Sequence, residues 1–158
     1  MGTLILWVAW LFFNAGSTND MFLTRTGGSA KIMMTTLVCP SIAGVVAVFF
    51  KPHLLGTYSF VNQFDIVAIC GGILNGLVAI TGCCDCVEVW ASFVIGIISG
   101  FVYILGCWFL ERFHIDDPVE AIPVHFFGGM WGTIATGIFS NVSGPLYGFP
   151  GGWGFLGW

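Results

Sequence analysis

His125 is the first residue to consider, because of what surrounds it. It stands in Asp116-Asp117-Pro118-Val119-Glu120-Ala121-Ile122-Pro123-Val124-His125-Phe126-Phe127-Gly128-Gly129-Met130-Trp131-Gly132-Thr133, and after Glu120 the chain contains no Lys, Arg, Asp or Glu. A neutral imidazole donates one hydrogen bond, accepts one and can take up a proton. Such a group within apolar sequence is costly in lipid and marks a candidate site for moving a small polar solute. The plainer reading is a histidine that bonds a backbone carbonyl inside a helix bundle. Phe126, Phe127 and Trp131 beside it point to a dry, narrow setting, better suited to a small solute than to a metal or a large substrate.

A second group lies near the N-terminus. Trp7, Trp10, Phe13 or Asn14, and Ser17 recur every three or four residues and share one helix face. Stacked rings bind a small cation through their quadrupoles and can gate a pore. A packing face or an interfacial belt explains the same spacing. Glu111, Asp116, Asp117 and Glu120 read as capping and loop residues rather than as a catalytic carboxylate pair. Cys83, Cys84 and Cys86 include a Cys-x-x-Cys spacing, but no second Cys or His pair stands at zinc spacing, so they read as small residues at a helix end. No nucleophile elbow, phosphate loop or dinucleotide fingerprint is present, and neither enzyme activity nor a cofactor is expected.

The elements that position these residues follow from composition. The chain has 158 residues, 57% hydrophobic and 8% charged, against about a quarter charged in soluble domains. This is the composition of a membrane protein. The net charge of −4 leaves no basic face for nucleic acid. Five apolar segments are expected as helices: about Thr3 to Gly16, Ile32 to Phe50, Ile66 to Gly82, Val89 to Leu110 and Pro118 to Ser140. The last four approach the ~20 residues that a ~30 Å hydrocarbon core requires, and the first is short. Barrel strands would alternate apolar and polar residues, which these runs do not. The fold class is therefore all-α, a polytopic transmembrane bundle of about five helices.

Gly72 with Gly76 and Gly96 with Gly100 form GxxxG pairs for close helix packing. Pro40 should kink the second helix or sit at a widened turn. Asp117 should cap the fifth helix, with Pro118 in its first position and Glu120 in its third. His125 would then lie ~12 Å along that helix, near mid-membrane. Arg25 and Lys31 balance Lys51 and Arg112 across the loops, so charge gives no orientation. Met1 leads straight into an apolar run without a basic region, and no cleavable signal is expected. Asn141-Val142-Ser143 is a glycosylation sequon that matters only on a lumenal face.

Gly2 to Ser17, with its Trp7, Trp10, Phe13-Asn14 and Gly16-Ser17, resembles the Trp-x-x-Phe-Asn-x-Gly-Ser helix of the ammonium transporters (the Amt/Mep/Rh family). Asp116-Asp117-Pro118-Val119-Glu120 with Val124-His125 and Gly129 to Thr133 resembles the family's tenth helix. Gly76 to Thr81 and Val87 to Ala91 also fit its pattern. The resemblance spans nearly the whole chain but covers only the sixth to tenth of eleven helices, the second of two inverted repeats. It implies one pore per subunit in a trimer, with a substrate pathway through Trp10 as pore lining, Phe13 as a gate ring, Ser17 at the ammonium mouth and His125 as the second of two pore histidines. The other repeat should carry the first histidine, the other gate phenylalanine, the mouth tryptophan and a structural aspartate. In such folds the site lies between the repeats, so one repeat alone encloses no pore. Phe126 stands where the family often has Gly, and Val89 where it often has Pro.

Residues 1–158 thus read as one partial ammonium-transporter-like membrane domain. The expected function is ammonium/ammonia transport by a fragment or split half, completed by other membrane helices, in the plasma membrane. The alternative is an accessory structural subunit descended from such a transporter, packed without transport activity in a respiratory or photosynthetic complex of an organelle inner membrane. Retained Trp10, Phe13, Ser17 and His125 favour transport. The bulk of Phe126, and a 158-residue chain taken as complete, favour the accessory subunit.

Overall fold

A backbone without water must satisfy its own hydrogen bonds, and the uninterrupted apolar runs do so as helices. The computed structural model describes residues 1–17, 28–56 and 64–141. Its helices are α1 (Gly2–Gly16), α2 (Gly28–Leu54), α3 (Ile66–Thr81), α4 (Val89–Phe113) and α5 (Gly128–Phe139), with a π-helical turn over Ile122–Phe127 leading into α5. No strand occurs among the described residues. Arg25 and the Val142 and Ser143 of the sequon lie outside them. By length and composition α2 and α4 can cross a membrane, whereas α1 and α3 are shorter apolar helices.

The sequence places most ends within a few residues. Asp65 starts α3 by accepting a 2.8 Å hydrogen bond from the Val67 N–H, which meets one of the free donors of the first turn. At the end of α4, His114 takes a left-handed conformation, φ 54°, and the Ile115 N–H reaches back to the Leu110 carbonyl. α2 extends past its expected bounds at both ends and brings Lys31 and Lys51 inside the helix.

The fifth segment departs from expectation. Asp117 does accept a backbone N–H, but that of Ile122 at 2.7 Å, so the helix begins about four residues later than Pro118. Glu120 is not a third helical residue: its φ is 53°. Proline is one cause, because Pro123 has no N–H and cannot complete a normal α-turn. The widened turn expected near Pro40 lies at Pro123 instead, and α2 runs as α-helix through Pro40 and Pro52. His125 therefore sits in the π turn, close to the helix start. It nonetheless lies level with the middle of the bundle, because the neighbouring Pro123 and Val124 carbonyls bond to Asn75, near the middle of α3.

α2 is the central element, packed against α1, α3 and α4. Both GxxxG pairs lie on it. A methyl group at Gly96 would come within 2.5 Å of the Cys39 carbonyl oxygen, and one at Gly100 within 2.6 Å of Val46. From α3, methyls at Gly72 and Gly76 would come within 2.5 Å of Ala47 and 2.7 Å of Pro40. Ala43 is fully buried between the two glycine stripes. α3 and α5 are equally close, with Gly132 against the backbone of Ala79.

An ion pair lies toward each end of α2. Lys31 meets Glu88 at 2.8 Å, and the Asn141 amide donates to the same carboxylate oxygen at 2.9 Å. Lys51 meets Glu120 at 2.6 Å and the Tyr103 hydroxyl at 2.9 Å, and Tyr103 also donates to Glu120. The two lysines are twenty residues apart, so ~30 Å along the axis, which matches a hydrocarbon core.

Gly96→Ala should therefore destabilise the bundle by roughly 1–3 kcal/mol, because overpacking against backbone cannot relax. Gly2→Ala, with open space around it, should leave the melting temperature in detergent unchanged. Hydrogen bonds from Lys31 and Asn141 hold the Glu88 carboxyl below the usual carboxylate range. The stability this adds is present above the ordinary Glu pKa of about 4.3 and is lost as pH falls through the lower folded value. Melting measured between neutral and acid pH should show that loss, and Glu88→Gln should flatten it.

Candidate functional site

The aromatic face of α1 divides between two neighbours. The Trp7 indole N–H donates to the Thr36 carbonyl at 3.2 Å, and the Asn14 amide donates to the Thr36 hydroxyl at 3.1 Å. Both tie α1 to α2, and Asn14 is buried. They are packing residues, as the plainer reading of the stripe requires. Trp10 turns the other way and donates to the Thr81 hydroxyl of α3 at 2.7 Å. That bond fixes the plane of its ring. Phe13 is 60% exposed, and its ring meets Trp10 edge-on with centroids 6.2 Å apart.

Ser17 is exposed and donates to the Phe13 carbonyl at 2.6 Å. With its proton committed inward, the hydroxyl keeps its lone pairs free to accept an N–H from outside. Trp10, Phe13 and Ser17 thus form a cluster of an oriented ring, an exposed ring and an acceptor oxygen.

His125 is exposed on the bundle surface. Among the described residues no hydrogen bond to its imidazole is formed. Phe126 beside it is 63% exposed. Phe127 and Trp131 face α4 instead: Phe127 lies edge-on to Phe109, and the Trp131 indole donates to the Ile95 carbonyl at 3.2 Å. The expected dry shell of Phe126, Phe127 and Trp131 around His125 is therefore not built among the described residues.

α1 does not touch the His125 turn, but α3 touches both. Thr81 holds Trp10, and Asn75 holds the backbone just before His125. These two α3 residues are six apart, so ~9 Å along the axis. α3 thus sets the spacing between the aromatic cluster and the histidine, both of which present exposed side chains.

Two groups depart from their sequence reading or sharpen it. Glu120 is no solvated loop acid. It is bonded to Lys51, whose side chain is 8% exposed, and to Tyr103. A lysine within an apolar helix was the available signal for such a partner. Glu120 also borders an open cleft of about 480 Å³ with Cys107, Glu111, His114 and Asp117, at the α4–α5 link and apart from His125. In the loop after α3, burial pushes the Cys83 and Cys84 thiols up to about 12. The Cys84 Sγ lies 3.5 Å from the Thr81 carbonyl and the Cys86 Sγ 3.6 Å from that of Cys83. Thiols this hard to ionise are poor ligands and nucleophiles.

Comparisons with known proteins identify the family to which this fold belongs. The model of the Ammonium Transporter Family matches residues 1–155. Ammonium transporter Amt2 of Archaeoglobus fulgidus is 40% identical over 99% of this chain and 33% of its own length. Ammonium transporter 1 member 1 of Arabidopsis thaliana is 37% identical over 89% of this chain and 28% of its own. The crystal structure of Saccharomyces cerevisiae Mep2 superposes with a TM-score of 0.77 at 29% identity, over 99% of this chain and 35% of that one. The chain spans about a third of the length of these relatives. It belongs to the ammonium transporter family, as an all-helical integral membrane chain carrying part of that family's fold.

Proposed function

We propose that this chain forms one wall of an ammonium-conducting pathway, with the opposite wall supplied by other membrane helices. The observation that carries the reading is the exposed face on which His125 stands, level with mid-bundle and about 9 Å along α3 from the Trp10–Phe13–Ser17 cluster. An exposed imidazole on an apolar bundle requires a partner or a solute.

The roles follow from the chemistry. Ser17 accepts an N–H from ammonium, and the Trp10 ring attracts the cation, worth roughly 0.5–2 kcal/mol depending on desolvation. Phe13 blocks the way inward until its ring swings aside. Beyond it an apolar channel disfavours the cation far more than neutral ammonia, so ammonium gives up a proton, either to water or along a hydrogen-bonded relay. His125 then offers ammonia a hydrogen-bond partner at mid-path, beside a second histidine from the missing wall. The trimeric assembly and plasma-membrane setting of the family belong to this reading.

Phe126 favours a second reading, an accessory subunit without transport, because its exposed ring fills space next to His125. The two readings separate by methylammonium uptake in a transport-deficient host that carries this chain with its complementary half. Transport predicts that His125→Ala lowers maximal uptake tenfold or more, while Ser17→Ala chiefly raises the half-saturation concentration. Uptake at background level for the unmutated chain, together with stable assembly into a larger complex, would leave the accessory role.

A further inference from the structure

The His125 imidazole has no side-chain partner among the described residues, so its direction depends on the backbone that carries it. That backbone is a π turn, over Ile122–Phe127. A widened turn sets carbonyls out of line with the N–H groups that would normally serve them, and such turns recur at functional positions.

One side chain meets those carbonyls. The Asn75 amide nitrogen donates to the Pro123 carbonyl at 2.9 Å and reaches the Val124 carbonyl at 3.5 Å. Its oxygen accepts a hydrogen bond from Ser99 of α4. Asn75 and Ser99 are both fully buried. The amide is also seated against Gly128, where a methyl group would come within 2.8 Å of the Asn75 nitrogen. Asn75 therefore has its nitrogen and its oxygen committed, and it touches the residues immediately before and after the His125–Phe127 stretch.

We infer that Asn75, oriented by Ser99, is a positioning residue for His125: it holds the π turn in the geometry that aims the imidazole into the pathway. Burying an amide at mid-bundle is costly unless every polar atom is used. Here the use is to hold two carbonyls of the π turn. The same helix holds Trp10 through Thr81, so α3 sets both the depth and the direction of the polar groups along the path. This inference rests on the transport reading for its activity readout, but its structural readout does not.

The test uses Asn75→Leu, which keeps the bulk and removes the hydrogen bonds, and Ser99→Ala, which leaves Asn75 in place but frees its oxygen. Ser99→Thr is the conservative rescue. Imidazole ¹⁵N signals of His125 are recorded by solid-state NMR in lipid, in the chain assembled with its complementary half. The unmutated protein should give one set of signals, retained in Ser99→Thr. Asn75→Leu and Ser99→Ala should split or broaden it while signals from α2 stay fixed. In uptake assays normalised to membrane abundance, Asn75→Leu should lower maximal methylammonium uptake about tenfold, with little change in half-saturation. In a His125→Ala background it should cost nothing further. Unchanged His125 signals in both variants, or an equal loss with and without the imidazole, would overturn the positioning role. Changed signals with no uptake in any variant would keep the clamp and instead remove the transport reading.

Discussion

The fold depends on how closely α2 can approach its neighbours. In lipid there is little hydrophobic gain in bringing helices together, because the tails are as apolar as the side chains they replace. What remains is contact, and contact grows as the backbones draw near. α3 and α4 each bring a glycine pair to the same stretch of α2, Cys39 to Ala47, where the added methyl of any other residue would meet backbone or Cβ atoms at under 3 Å. Once α2 is held between them, α1 has a groove for Trp7 and Asn14, and α5 can follow α3. The short first helix survives because Asn14 and Trp7 exchange solvent for Thr36 of α2.

Glycine stripes fix distance but not depth, since a smooth pair of helices can slide. Depth is supplied by charge. Lys31 and Lys51 lie about 30 Å apart on α2, and each is bonded to a glutamate from another element, Glu88 and Glu120. A one-turn slip would break both pairs, and for the mostly buried Lys51–Glu120 pair it would leave a charge in apolar surroundings without a partner, at several kcal/mol. The Lys51 pair does more than anchor. It holds Glu120 at φ 53°, a conformation that costs roughly 1 kcal/mol for a residue other than glycine. That kink redirects the chain into the π turn that bears His125. The unusual backbone at the site is thus kept in place by an ion pair and a tyrosine at one end and by Asn75 at the other.

Sequence alone was sufficient for the starts of α3 and α4 and for their packing faces. Asp65 marked the start of α3, Val89 after Glu88 that of α4, and the GxxxG pairs named the packing faces. It was also sufficient for the family, because the motif residues survive in order. It failed where long-range contacts decide. Asp117-Pro118 is a good local helix start, yet Glu120 is drawn to Lys51 and Tyr103, far away in sequence, and the helix waits for Ile122. Trp7 and Trp10 look equivalent by spacing and serve different partners. Asn75, in an apolar run with glycines, resembles a tolerated polar residue until its carbonyl partners are seen.

The arrangement divides labour between the two sides of each helix. Packing faces are small and complete: glycines, alanines and side-chain hydrogen bonds that close within the chain. Phe13, Ser17, His125 and Phe126 are each exposed. The buried Asn75 amide braces the turn that carries His125, whose imidazole has no hydrogen-bond partner among the described residues. On the proposed transport reading, a polar group that meets a moving solute must not be consumed by fixed neighbours, and its direction must then come from the backbone. On that reading the open face of His125 and the bonded amide of Asn75 answer one requirement.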